Sequence, residues 1–197
     1  MATGPSVRLA LRQLDRSDLP QLSRWLEAPH VKQWWREPGD ADAVETAYGP
    51  AIDGADPTEL LIAELDGQPI GMLQRYLLAD NPDYERALEP AGAPRPAAGL
   101  DYLIGDPDLT GRGLGPSMIA EGSAGAWSAY PDVVAIVVTV QIENRRSWRA
   151  LEKAGYRRTW SGFVHSGDPS DDGPGHVYVL DRPSLGHGAG TSNANRG

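Results

Sequence analysis

The run Val133-Val134-Ala135-Ile136-Val137-Val138-Thr139-Val140 constrains the fold of this chain more than any other feature. It is unbroken, apolar and mostly β-branched. Such a run reads as a strand buried on both faces. It falls far short of the ~20 apolar residues that a membrane helix needs, and no longer apolar run occurs. A sheet with a strand like this needs cover on each side, and segments with helical spacing are present to supply it.

Residues 7–12 alternate as a strand. Ser17 and Asp18 are helix-cap residues, Pro20 sits just inside the start, and Leu19, Leu22, Trp25 and Leu26 recur at helical spacing. A second helical stretch spans 40–52. Residues 59–65 and 69–78 read as strands joined at Asp66-Gly67, a strong hairpin signal. The segment 79–98 holds Pro82, Pro90, Pro94 and Pro96 and reads as a long surface loop without regular structure. A strand at 99–105, a glycine loop and a helix at 116–129 precede the buried run. Asn144 caps a helix that Gly155 closes. Strands at 156–165 and 176–180 flank a turn-rich loop. The resulting order, β-α-α-β-β-β-α-β-α-β-β, is a mixed α/β sheet in a single domain over 1–182. The Gly-, Ser- and Asn-rich residues 183–197 are expected to form a flexible tail.

The chain of 197 residues has no cysteine, which excludes disulfides, thiolate metal sites and a thiol nucleophile. His30, His165, His176 and His187 have no metal-ligand spacing, and no Ser-His-Asp arrangement stands out, so no metal is expected. The start lacks a basic segment followed by an apolar one, so the protein is expected in the cytoplasm. The net charge of −9 disfavours nucleic acid and favours a cationic small molecule. Charge alone fits solubility equally well.

Three features could carry chemistry. Gly111, Gly113 and Gly115 alternate between a strand and a helix, where free amides and the helix dipole make a phosphate site. Pro116, read as the first helical residue, removes one donor. No Gly-Lys-Ser/Thr follows, and the spacing is not that of a dinucleotide fingerprint. A bare G-x-G-x-G is also what a ligand-free turn looks like. Asp101 lies in the otherwise buried 99–105 strand, either as a general base or as a structurally paired carboxylate. Trp34 and Trp35 are adjacent on a helix and cannot both face one core. One can line an amine pocket through its ring face. Asp80, Asp83 and Asp172 are either turn formers or acceptors for an amine.

The order of strand, glycine loop, helix, buried strand and an Asn144-capped helix ending Glu152-Lys153-Ala154-Gly155-Tyr156 resembles the GNAT acetyltransferase superfamily. Trp25-Leu26, His30-Val31-Lys32-Gln33-Trp34-Trp35, Gly67-Gln68-Pro69-Ile70-Gly71 and Gly99-Leu100-Asp101-Tyr102 narrow the resemblance to aminoglycoside 6'-N-acetyltransferases, over about 11–180. The resemblance implies a mixed, mostly antiparallel sheet of six to seven strands flanked by about four helices. It implies acetyl-coenzyme A held by Thr110, Gly111, Arg112, Gly113, Leu114, Gly115, Pro116 and Ser117, by the backbone of Leu103 and Ile104, and by Asn144. It implies Asp101 as base, with Trp34, Trp35, Tyr48 and Asp172 beside the amine; Asp83, in the long loop, is expected to add an acceptor there, and the protein is expected to be a monomer or homodimer. Thr110 stands where that superfamily often has Gln or Arg, and Leu151 where many members carry a proton-donating Tyr. Siderophore-type lysine acyltransferases share the double aromatic and Gly115-Pro116, but carry His at the position of Asp101. A non-catalytic coenzyme-binding sensor is a reading from another class.

Overall fold

The computed structural model describes residues 8–171 and 173–183. Its strands are β1 (Leu9–Gln13), β2 (Glu59–Leu65), β3 (Gln68–Leu77), β4 (Ala97–Ile104), β5 (Ala135–Gln141), β6 (Arg157–Phe163) and β7 (Pro174–Asp181). Its helices are α1 (Leu19–Glu27), α2 (Pro29–Trp35), α3 (Ala41–Ile52), α4 (Pro82–Ala87), α5 (Leu114–Ala129) and α6 (Arg145–Lys153). The seven strands form one sheet in the order β1-β2-β3-β4-β5-β7-β6.

Every neighbouring pair is antiparallel except β4 and β5. Those two are parallel and pair only over Ala97–Ala135, Ala98–Ile136 and Gly99–Val137. Beyond Gly99 they diverge, and the rest of β4 keeps only β3 as a partner. This parting opens the sheet in its middle.

The apolar run is a buried strand from Ala135 onward, whereas Val133 and Val134 precede it and Val134 is exposed. Ile136, Val138 and Val140 enter one buried cluster with Met118 and Ile119 of α5. Ala135 and Val137 enter another, with Tyr76, Leu88 and Val177. Successive side chains thus leave opposite faces of β5, and both faces are covered. A third cluster joins α1–α3 to the sheet through Leu22, Trp25, Leu26, Ile62, Met72 and Leu103. The Asp66-Gly67 turn has positive φ at both residues, 51° and 79°, the backbone of a tight hairpin.

The expected loop at 79–98 is more ordered than its prolines imply. It contains α4 and ends in β4, which begins at Ala97. Pro82 opens α4 and Pro90 sits early in a single 3₁₀ turn, positions where a missing N–H removes no helical hydrogen bond. Leu88 between them is buried and anchors the segment. Among the described residues there are six α-helices rather than about four. One extra break is at Ala28, held extended before Pro29, which separates α1 from α2. Helix α5 starts at Leu114, so Pro116 is its third residue and not its first. It still lies in the first turn, where amides have no intrahelical acceptor. Apart from Pro183, the tail lies outside the described residues. Among the described residues no helix is long and apolar enough to cross a membrane.

Candidate active site

Two clefts open where β4 and β5 part. The first, about 360 Å³, is lined by Glu37, Asp56, Asp101, Asp168 and Asp171 and by no Lys or Arg among the described residues. The second, about 640 Å³, is lined by Arg145, Arg146, Arg149 and Lys153, with Glu143 the only acid among the described residues that line it. Trp34, Trp35, Tyr102, Asn144 and Ser147 line both, so the two meet there.

Asp101 sits on β4 directly across from Gln74 of β3, whose amide donates to its Oδ2 at 3.1 Å. Burial pushes its carboxyl up to about 6, while hydrogen bonds from Gln74 and Tyr76 pull the other way. No cation pairs with it among the described residues. A carboxylate near 6 is ionised at neutral pH and close enough to the working pH to exchange a proton efficiently. Gly99 makes this arrangement possible. A Cβ there would come within 2.3 Å of the Tyr76 ring, which lies across the glycine and reaches Asp101.

The double tryptophan resolves differently from a core-plus-surface pair, because both indoles line both clefts. Trp35 Nε1 donates to the Tyr48 hydroxyl at 3.0 Å, and that hydroxyl donates to Glu37 Oε2 at 2.6 Å. Burial raises the Glu37 carboxyl above the usual carboxylate range, with the Tyr48 hydrogen bond opposing it. Tyr102 and Ser147 place their hydroxyls 2.7 Å apart at the junction.

Ser166, Asp168, Ser170 and Asp171 form one wall of the acidic cleft. Thr139 donates to Asp171 Oδ1 at 2.9 Å, and Gln141 donates to the Ser170 carbonyl at 2.6 Å. Arg36 ties α2 to both sides, donating to the Pro169 carbonyl at 2.8 Å and to Gln141 Oε1 at 3.0 Å. Tyr84 completes the wall with its hydroxyl 3.0 Å from Thr139 Oγ1.

In the second cleft Gly111 and Gly113 have φ of 77° and 84°, a left-handed backbone that favours glycine. A Cβ at either would meet nothing within 4 Å, so the loop backbone is open to a ligand. Thr110 Oγ1 donates to the Pro107 carbonyl at 2.7 Å and accepts from Arg146 Nη1 at 3.3 Å. Thr110, Gly111, Gly113, Gly115, Pro116, Leu103, Ile104 and Asn144 all line this cleft. Asn144 also caps α6, accepting from Ser147 N at 3.3 Å. The Ile104 carbonyl is already engaged by a His30 ring nitrogen at 2.9 Å.

Several expected residues stand elsewhere. Asp83 points into solvent, paired with Arg86 at 2.8 Å, and lines neither cleft. Asp80 is also exposed and away from both. Their neighbours Asn81 and Tyr84 face the site because α4 turns the segment over. Arg112, Leu114 and Ser117 do not line the second cleft. Arg112 is exposed, Leu114 packs on the core, and the Ser117 hydroxyl turns to the Gly113 carbonyl at 3.4 Å. Leu151 is fully buried. Asp172 lies outside the described residues. Glu37, Gln74, Tyr76, Tyr84, Thr139, Asp168 and Asp171 escaped sequence reasoning. Only Gln74 and Tyr76 had a signal, their alternation on a strand beside Asp101.

A family model for the GNAT acetyltransferase domain matches residues 15–161. The chain belongs to the GNAT acetyltransferase family. Aminoglycoside N(6')-acetyltransferases type 1 from Klebsiella pneumoniae and Serratia marcescens are each 29% identical to it over 186 residues, covering 91% of this chain and 86% of theirs. A crystal structure of aminoglycoside acetyltransferase AAC(6')-Ib with coenzyme A and kanamycin superposes with a TM-score of 0.75 at 28% identity. That match covers 89% of this chain and 95% of that one. An aminoglycoside N(6')acetyltransferase from Legionella pneumophila has the same fold, with a TM-score of 0.66 at 22% identity over 89% of this chain and 93% of that one.

Proposed function

We propose that this GNAT protein transfers acetyl from acetyl-coenzyme A to a primary amine, the 6'-amine of an aminoglycoside being the best-supported acceptor. The observation that carries the reading is the meeting beside Asp101 of an acidic cleft, lined by no Lys or Arg among the described residues, with a cationic one. A polycationic amine fits the first and a phosphate-bearing coenzyme fits the second. The open loop backbone and the basic wall match the donors such a coenzyme needs. The aminoglycoside-acetylating relatives support the choice of amine.

Acetyl-coenzyme A supplies the acetyl group as an activated thioester. No protein nucleophile is needed when the amine attacks directly. Asp101 takes the proton that the amine must lose, through Oδ1 or a bridging water. Trp34, Trp35 and Tyr48 line the acceptor's cleft, and Glu37, Asp168 and Asp171 hold its other ammonium groups. Leu151, in the core, delivers no proton. A thiol of ordinary pKa, about 8.5, is a tolerable leaving group near neutral pH. The paired hydroxyls of Tyr102 and Ser147 are two of the donors placed at the junction. The absence of cysteine fits action in the cytoplasm.

Thiol release from acetyl-coenzyme A, measured with kanamycin, lysine derivatives and peptides as acceptors, tests the proposal. Acetylated kanamycin modified at the 6'-amine is the expected product. Turnover confined to lysine derivatives would overturn the aminoglycoside assignment. Coenzyme binding without turnover on any amine would favour a sensor.

A further inference from the structure

Helix α6 carries Arg146, Arg149 and Lys153 along the face that lines the coenzyme cleft. The helix dipole accounts for Lys153, in the last turn, but not for the cations before it. Arg145 and Arg146 are its first two residues, no acid occupies its first turn, and cations at a helix N-terminus oppose the dipole. Arg149 and Lys153, four residues apart, repel each other mildly. None of the four cations enters an ion pair among the described residues, in a chain of net charge −9. Arg149 lies over the Trp148 ring, with Cζ 5.4 Å from its centroid.

The position of each cation along the cleft is informative. Asn144 and Ser147 lie at the junction with the acidic cleft, where the acetyl group must be presented. Arg146 meets the glycine loop through Thr110, and so supplies from α6 a cation that the loop itself lacks at that position. Pro116 removes one amide from the same cradle. Ala150 approaches Gly115, where a Cβ would lie 3.5 Å from its own, so the next turn of α6 carries the basic face past the loop. Lys153 lies most of a turn beyond Ala150, on the side of the loop away from the junction, and Arg149 stands beside Ala150 on the same basic face. In the coenzyme the thiol arm is followed by a diphosphate and then by a ribose bearing a 3'-phosphate monoester. The order of cations matches the order of phosphates.

We infer that Arg146 reads the diphosphate and that Arg149 and Lys153 read the ribose 3'-phosphate, so that this protein selects coenzyme A over its 3'-dephospho form. The inference rests on the coenzyme reading above. Isothermal titration at low ionic strength, with coenzyme A and 3'-dephospho-coenzyme A, tests both without requiring turnover. Wild-type protein should bind coenzyme A at least about tenfold more tightly than the dephospho form. The double variant Arg149→Gln/Lys153→Gln, which keeps much of each stem, should lose that preference and bind the dephospho form within about twofold of wild type. Arg146→Gln should weaken both ligands by a similar factor, because both contain the diphosphate. Equal wild-type affinity for the two ligands would overturn the inference while leaving the coenzyme reading intact. Equal weakening of both ligands by the double variant would also overturn it. No binding of either ligand to folded wild-type protein would overturn the coenzyme reading itself.

Discussion

Asp101→Asn should separate the chemistry of this carboxyl from its burial, and the expected size follows from its titration. The carboxyl titrates near 3.8 when exposed and near about 6 in the folded chain, with burial the main cause. The folded state therefore keeps its proton over a pH range in which the unfolded state has lost it. Stability from this group is fully present below about pH 4 and is lost as pH rises through about 6. The full difference is about 3 kcal/mol, of which about 1.4 kcal/mol falls between about pH 5 and about pH 7.5. Asparagine keeps one acceptor oxygen for Gln74 and does not titrate. Urea unfolding at the two pH values should thus show wild type losing about 1.4 kcal/mol relative to the variant on going to the higher pH, a shift of roughly 3–6 °C in Tm for a chain of this size. Turnover should fall in parallel by roughly 10²–10⁴-fold, and the rise of kcat/KM through about pH 6 should disappear. Parallel stability curves for the two proteins would refute a buried, elevated carboxyl. Undiminished turnover would remove Asp101 as the base.

Three other perturbations probe the rest of the site. Gly113→Ala forces a side chain into φ of 84°, which should cost about 1–2 kcal/mol and weaken coenzyme binding severalfold, measured by thermal shift with and without ligand. Tyr48→Phe leaves Glu37 without its 2.6 Å donor and should raise KM for a polycationic amine about tenfold with a smaller change in kcat. If the junction hydroxyls assist thiolate departure, Tyr102→Phe should lower kcat with little effect on either KM, and single-turnover kinetics would locate the loss in the chemical step. A rise in KM alone would assign Tyr102 to binding.

The elements legible in advance were those with a local cause. The buried run of β5, the Asp66-Gly67 hairpin, the Asn144 cap and the glycine loop each follow from a few adjacent residues. Asp101 stood out because a lone carboxylate in an apolar strand demands an explanation. The prolines of 79–98 misled, since their positions at the starts of short helical turns are compatible with order. Asp83 was mislocated with them, because a one-residue step along α4 exchanges an exposed acid for a cleft-facing Tyr84.

By itself the sequence determined the order of elements, the face-to-face burial of β5 and the loop geometry, since each depends on local sterics and on side-chain period. Tertiary structure alone decided that β4 and β5 part after Gly99, that Tyr76 and Gln74 reach Asp101, and that an acidic cleft meets a basic one at Tyr102 and Ser147. The physical reason is that electrostatics acts through space. The elevation of the Asp101 carboxyl and the opposition of the two clefts arise from residues far apart in the chain, which only the folded sheet brings within reach of each other.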